Sequence, residues 1–203
     1  MTTPHPALQH VAKTTGPPPI HLAKKHGRPG FVLWMEGLSG SGKSTLSKTL
    51  AAKLHADGWN VEILDGDEVR QGLSPDLGFS RKDRETHAHR VSYVARVLSR
   101  NGVAVLVALI TPYESSRKAA RTSVGERFTE VYIKAPLDIC QKRDVKGLYK
   151  KTQSGHVTQM TGVDDPFEEP ANPDLVVDTS SDSVETCAGV ILGHLKAKGF
   201  LPN

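Results

Sequence analysis

A chain of 203 residues and 22.0 kDa is long enough for one domain with a sizeable core, and 37% hydrophobic with 24% charged residues is the balance of a folded protein, not of a disordered one. No run approaches the roughly 18 apolar residues that a membrane span needs, so no membrane role is expected. The net charge of +4 sits in residues 1–30, which hold Lys13, Lys24, Lys25 and Arg28 and no acid; the rest carries 22 basic and 22 acidic residues, a balance that excludes a broad nucleic-acid face.

Residues 1–30 read as a flexible basic extension. Pro17-Pro18-Pro19 breaks any amphipathic helix, and no apolar core like that of a secretory leader is present. Its histidines, His5, His10, His21 and His26, fit no metal-site spacing. A folded domain is expected over 31–203. Strand-length apolar stretches fall at 31–36, 60–65, 103–109, 130–134 and 175–178, and the third is apolar throughout, as a strand covered on both faces should be. Helical stripes lie between them: Leu46, Leu50, Ala51 and Leu54; then Val91, Val94, Ala95 and Leu98; last Val184, Cys187, Ala188, Ile191, Leu192 and Leu195. Strands alternating with helices imply a three-layer α/β fold, a five-stranded parallel sheet with helices on both faces. Cys140 and Cys187 fall in helical stretches and read as small buried hydrophobes of a reducing, cytoplasmic setting.

"GLSGSGKST", residues 37–45, follows the first strand and opens a helix. Gly37-x-x-x-x-Gly42-Lys43-Ser44 is a complete P-loop. Its backbone N–H groups, with Ser39, Gly40, Ser41 and Thr45 in the same turn, suit the phosphates of ATP; Lys43 suits the β- and γ-phosphates, and the Ser44 hydroxyl suits Mg²⁺. The strand at 103–109 ends without an acid. The second strand ends instead in "ILDGDEVR", which puts Asp65 and Asp67 at the carboxyl edge of the sheet, where such folds bind ligands. One would orient the hydrated metal and the other accept a proton from an attacking hydroxyl; which does which stays open, and Asp67 could also cap the next helix. No N-K-x-D motif marks a GTPase. The polar stretch 143–172 reads as a lid that keeps water from the transferred phosphoryl group.

"GLSGSGKST", "LDGDEVRQGL", "DLGFSRKDR", "ALITPY", "KRDVKGLYKK" and "TGVDDPFEEP" occur in the order seen in adenylylsulfate (APS) kinases, and from Phe31 to Asp178 the chain resembles that family. The resemblance implies transfer of the ATP γ-phosphoryl group to the 3′-hydroxyl of APS, giving PAPS in sulfate assimilation. It implies Mg²⁺ on Ser44 and Asp65 and a homodimer; whether the chain works alone or coupled to ATP sulfurylase stays open. Catalytic roles fall on Lys43, Asp65, Asp67 and Thr111, with Arg143 on the ATP side. APS contacts fall on Asp65, Asp67, Arg70, Phe79, Arg84, His87, Ala88, Ile110, Thr111, Lys146, Leu148, Met160 and Thr161.

Three departures stand out. His87 and Ala88 replace a usual Asn-Ile, Met160 replaces a Phe expected to wall the purine opposite Phe79, and Thr111 replaces a Ser. His87 is expected to titrate near neutral pH. The loss of ring stacking at Met160 is expected to cost about 1 kcal/mol of acceptor binding. A kinase for another nucleotide-linked acceptor, such as a cytidine diphosphate derivative, and a non-catalytic nucleotide-binding regulatory module remain the alternatives.

Overall fold

The computed structural model describes residues 28–155 and 158–202, so the expectation of a flexible extension lies, up to residue 27, outside the described residues. Residues 28–30 already pack on the domain. The Arg28 guanidinium lies 5.3 Å from the centre of the Trp59 ring, and Arg127 donates to the Gly30 and Pro29 carbonyls at 2.5 and 3.1 Å.

Five parallel strands form one sheet in the order β2-β3-β1-β4-β5. They are β1 (Phe31–Glu36), β2 (Val61–Asp65), β3 (Ala104–Ala108), β4 (Phe128–Lys134) and β5 (Leu175–Asp178). The sequence places all five to within two residues at each end. Central β1 is buried along its whole length, and its alternation divides the core. Phe31, Leu33 and Met35 face α1 (Lys43–Ala56) and α7 (Val184–Ala197). Val32 and Trp34 face α3 (Arg81–Arg100) and α4 (Glu114–Val124). The apolar β3 is fully buried, as a strand sandwiched between two helical layers must be.

The helical stripes hold with one exception. Leu46, Leu50 and Leu54 of α1, Val91 and Ala95 of α3, and Cys187, Ala188, Ile191 and Leu195 of α7 are buried, but Val184 is 39% exposed. It is the first residue of α7 and turns to the cleft below instead of the core. Both cysteines are free and buried. α2 (Gly66–Leu73), α5 (Leu137–Arg143) and α6 (Leu148–Gln153) are short, with at most one buried residue each, so apolar periodicity could not show them. α6 lies inside the stretch read as a lid. Among the described residues, no helix is long and apolar enough to cross a membrane.

Candidate active site

The loop after β1 is shaped by close approaches that exclude a side chain. A Cβ on Gly37 (φ 144°) would lie 2.4 Å from the Ile133 carbonyl oxygen, and one on Gly40 (φ 80°) 2.8 Å from that of Cys140. The turn ends on Gly42, and α1 starts at Lys43, so the first N–H groups of a 14-residue helix open onto the loop. Lys43 Nζ donates to the carbonyls of Gly37 and Leu38 at 2.8 and 2.7 Å and to Ser41 Oγ at 3.3 Å. Burial, with the Lys146 ammonium nearby, pushes Lys43 down to about 8. Ser41 and Gly37 are buried beneath the loop, while Ser39, Gly40, Gly42, Lys43, Ser44 and Thr45 line a cleft of about 490 Å³.

The two carboxylates enter from β2. Ser44 Oγ donates to Asp65 Oδ2 at 2.5 Å, which brings the P-loop hydroxyl and a carboxylate into one oxygen-only donor pair. That chemistry fits Mg²⁺, a hard ion that takes a few protein oxygens and keeps its waters. The cap of α2 is Asp65, not Asp67 as the sequence suggests: its Oδ1 accepts from the Asp67 N–H at 3.2 Å, because it is the last extended residue before the helix. Asp67, in the first turn, is left free to point outward and is paired with Lys146 across the cleft.

Away from the P-loop, the wall is cationic and aromatic. Phe79 is 51% exposed in the cleft, with the Arg70 and Arg84 guanidinium carbons 4.6 and 5.5 Å from its ring centre. Arg70 is fixed by the Gly78 carbonyl at 2.7 Å and Arg84 by that of Phe79 at 2.9 Å, so the loop orients both cations. His87 and Ala88 of α3 close the floor, both nearly buried. His87 Nδ1 lies 3.0 Å from Ser74 Oγ. Burial, with Arg70 and Arg90 nearby, pushes His87 down to about 4, which corrects the expectation of a group titrating near neutrality.

Ile110 and Thr111, after β3, complete this side, and Thr111 stands at φ 42°, which a β-branched residue rarely adopts. Lys146 and Leu148 reach the cleft from the far side. Met160 and Thr161 do not line it. Met160 is buried with Cys140, Tyr149 and Leu137 in a small separate core, so the structure does not bring it opposite Phe79 as the sequence reading expects.

Two features escape the sequence. Thr179, after β5, donates to the Ser41 carbonyl at 2.7 Å, and Arg143 donates to the carbonyls of Thr179 and Gly40 at 2.6 and 3.2 Å, closing the outer rim of the P-loop. Asp182 and Val184 extend this rim. The only signal was a Ser/Thr-rich turn after a strand. The second feature, Arg117 with Glu36 and Glu130, lies under the floor and is described below.

A family model for adenylylsulphate kinase matches residues 29–178. An adenylyl-sulfate kinase of Synechococcus is 47% identical over 175 residues, covering 86% of this chain and 99% of that protein. One of Myxococcus xanthus is 50% identical, covering 85% and 94%. A probable bifunctional SAT/APS kinase of Sorangium cellulosum is 44% identical over 85% of this chain and 30% of its own. Among solved structures, the Mycobacterium tuberculosis APS kinase in complex with AMPPNP and APS superposes with a TM-score of 0.81 at 39% identity, covering 84% of this chain and 99% of that one. A hexameric APS kinase from Thiobacillus denitrificans gives 0.64 at 32%, covering 86% and 30%. The P-loop, the paired carboxylates, the cationic aromatic wall and these relatives agree, and the chain belongs to the adenylylsulphate kinase family.

Proposed function

We propose that this chain transfers the γ-phosphoryl group of ATP to the 3′-hydroxyl of adenosine 5′-phosphosulfate, giving PAPS and ADP. The observation that carries the reading is the continuity of one cleft from the P-loop to the Phe79–Arg70–Arg84 wall, with Asp65 and Asp67 at the junction. A phosphoryl donor and an anionic purine acceptor can meet there, with a carboxylate at the reacting hydroxyl.

The roles divide by neighbour. Asp65, bonded to Ser44, sits on the donor side, and with Ser44 it would hold Mg²⁺, which when bound neutralises charge on the phosphates. Asp67, free of the P-loop, accepts the proton of the 3′-hydroxyl as its oxygen bonds to phosphorus and the bond to the ADP oxygen breaks. Lys43 answers charge on the phosphates. Arg70 and Arg84 attract the phosphosulfate, while Phe79 stacks on the purine. Residues 143–172 act as the lid: Lys146 already reaches Asp67, and Glu168 ties the far end to the Pro112 and Glu114 backbone at 2.8 Å each.

The same reading extends to a cytoplasmic homodimer, and to work beside a sulfurylase, which the bifunctional relative supports; the solution mass separates a dimer from a hexamer like that of the Thiobacillus protein. The direct test offers ATP with APS, AMP or a cytidine diphosphate derivative and identifies products by mass. 3′-Phosphorylated APS, abolished in Lys43→Ala and Asp67→Asn, is the expected result. ATP binding without transfer, or transfer to another acceptor with APS ignored, would overturn the proposal.

A further inference from the structure

Beneath the acceptor side lies a charged cluster that the chemistry above does not use. Arg117 of α4 is 2% exposed. Its Nε stands 3.5 Å from Glu36 Oε2 and 3.5 Å from Glu130 Oε1, and both carboxyls are nearly or wholly buried. Its Nη1 donates to the Thr111 carbonyl at 3.0 Å. The Thr111 hydroxyl is held separately, by the Trp34 indole N–H at 3.0 Å.

The Arg117 and Trp34 hydrogen bonds both end on Thr111. Thr111 is strained, at φ 42°, and such a conformation persists only where its surroundings impose it. Glu36 is the last residue of β1, directly before Gly37, whose N–H reaches the Ile110 carbonyl at 3.4 Å. The guanidinium therefore links the strand that launches the P-loop to the turn that walls the acceptor. A fork of fixed donors can do this; a lysine's single ammonium cannot reach the carbonyl and both carboxyls with the same geometry.

We propose that Arg117 is a positioning residue for the acceptor: clamped between Glu36 and Glu130, it holds the Thr111 carbonyl and so fixes the strained turn that lines the acceptor side of the cleft. The proposal rests on the reading of that side as the APS site. It acts on the acceptor through the Thr111 carbonyl, and an effect on the acceptor KM larger than on the ATP KM separates it from a purely structural role.

The test is Arg117→Lys, read in two ways. With APS as acceptor, its KM is expected to rise about tenfold, the loss of one charge-assisted hydrogen bond, while the ATP KM stays within about twofold. Without any substrate, in a Trp59→Phe background that leaves Trp34 as the one tryptophan, the emission of Trp34 is expected to shift as its Thr111 partner moves. A lower melting temperature with both acceptor KM and Trp34 emission unchanged would overturn the proposal. Should the wild type ignore APS, the functional reading fails by itself, and Trp34 emission still decides on Arg117. Should Arg117→Lys not fold, Glu130→Gln removes one carboxylate of the clamp at constant volume. The same shifts in smaller size are then expected, and no change in either readout refutes the clamp.

Discussion

Replacing Glu36 by Gln should make the protein more stable, and more so as the pH rises. The Glu36 carboxyl is 0% exposed, and among the described residues its oxygens complete no well-formed hydrogen bond, although Arg117 Nε stands 3.5 Å from Oε2. Burial first, and the Glu130 carboxyl second, push it from 4.5 up to about 10; Arg117 and Arg121 pull the other way by less. The unfolded chain gives up this proton near 4.5 and the folded chain keeps it, so folding takes up a proton throughout that window. The contribution is most favourable below 4.5 and is lost as pH rises toward 10, at about 1.4 kcal/mol per pH unit. At pH 7 that amounts to about 3 kcal/mol. Gln has the same shape, offers Glu130 an N–H donor and does not titrate. For a domain of this size the gain corresponds to a melting temperature higher by roughly 6–12 °C at neutral pH. Thermal unfolding of both proteins at about pH 5.5, 7 and 8.5 measures it. A difference between them that stays constant or shrinks as pH rises would refute the claim that Glu36 is buried in its neutral form.

Two further outcomes follow from the cleft. His87 is held neutral, with its folded value near 4 below the unfolded 6.5, so its contribution is fully present above 6.5 and is lost as pH falls toward 4, by up to about 3 kcal/mol. Acid unfolding of His87→Asn should show a shallower loss between those limits, and parallel curves would count against a buried neutral imidazole. Phe79→Ala should raise the acceptor KM about tenfold, as loss of one base stack does, and leave the ATP KM and the melting temperature nearly unchanged because the ring is half exposed. Steady-state kinetics with each substrate varied checks this, and equal effects on both KM values would mean that the ring supports the loop instead of the purine.

What the sequence made legible is what short windows encode. β1 and β3 are runs of apolar residues, and a run that is apolar at every position needs two covering layers, so strand, parallel sheet and flanking helices followed together. The P-loop is equally local: its glycines, Lys43 and Ser44 lie within eight residues, and their spacing defines the turn. The rest depended on contacts across the chain. The strand's end at Asp65 was legible, but that Asp65 and not Asp67 caps α2 depended on where the helix begins, at Gly66. His87 is held neutral by its burial and by Arg70 and Arg90, groups that separate segments bring together. Met160 could be placed opposite Phe79 only by assuming the lid's path, and the lid folds it inward onto Tyr149 and Cys140 instead. Thr179 reaches the P-loop from 138 residues away, a distance over which no periodicity carries information.

The least legible part of the molecule is also the part that burial would not select. Three ionisable side chains, Glu36 of β1, Glu130 of β4 and Arg117 of α4, are buried together where apolar residues of the same volume would be at least as stable. The one β-branched residue among those described with a positive φ, Thr111, is held by Arg117 through its carbonyl. Buried charge and backbone strain each lower stability, and in this chain they meet at one turn, between the strand that launches the P-loop and the wall that faces the acceptor. Chance destabilisation would have no reason to fall on a single contact. Position explains it: the carbonyl of a strained turn is held by a rigid fork, and a rigid fork under the cleft must bring its own carboxylates with it.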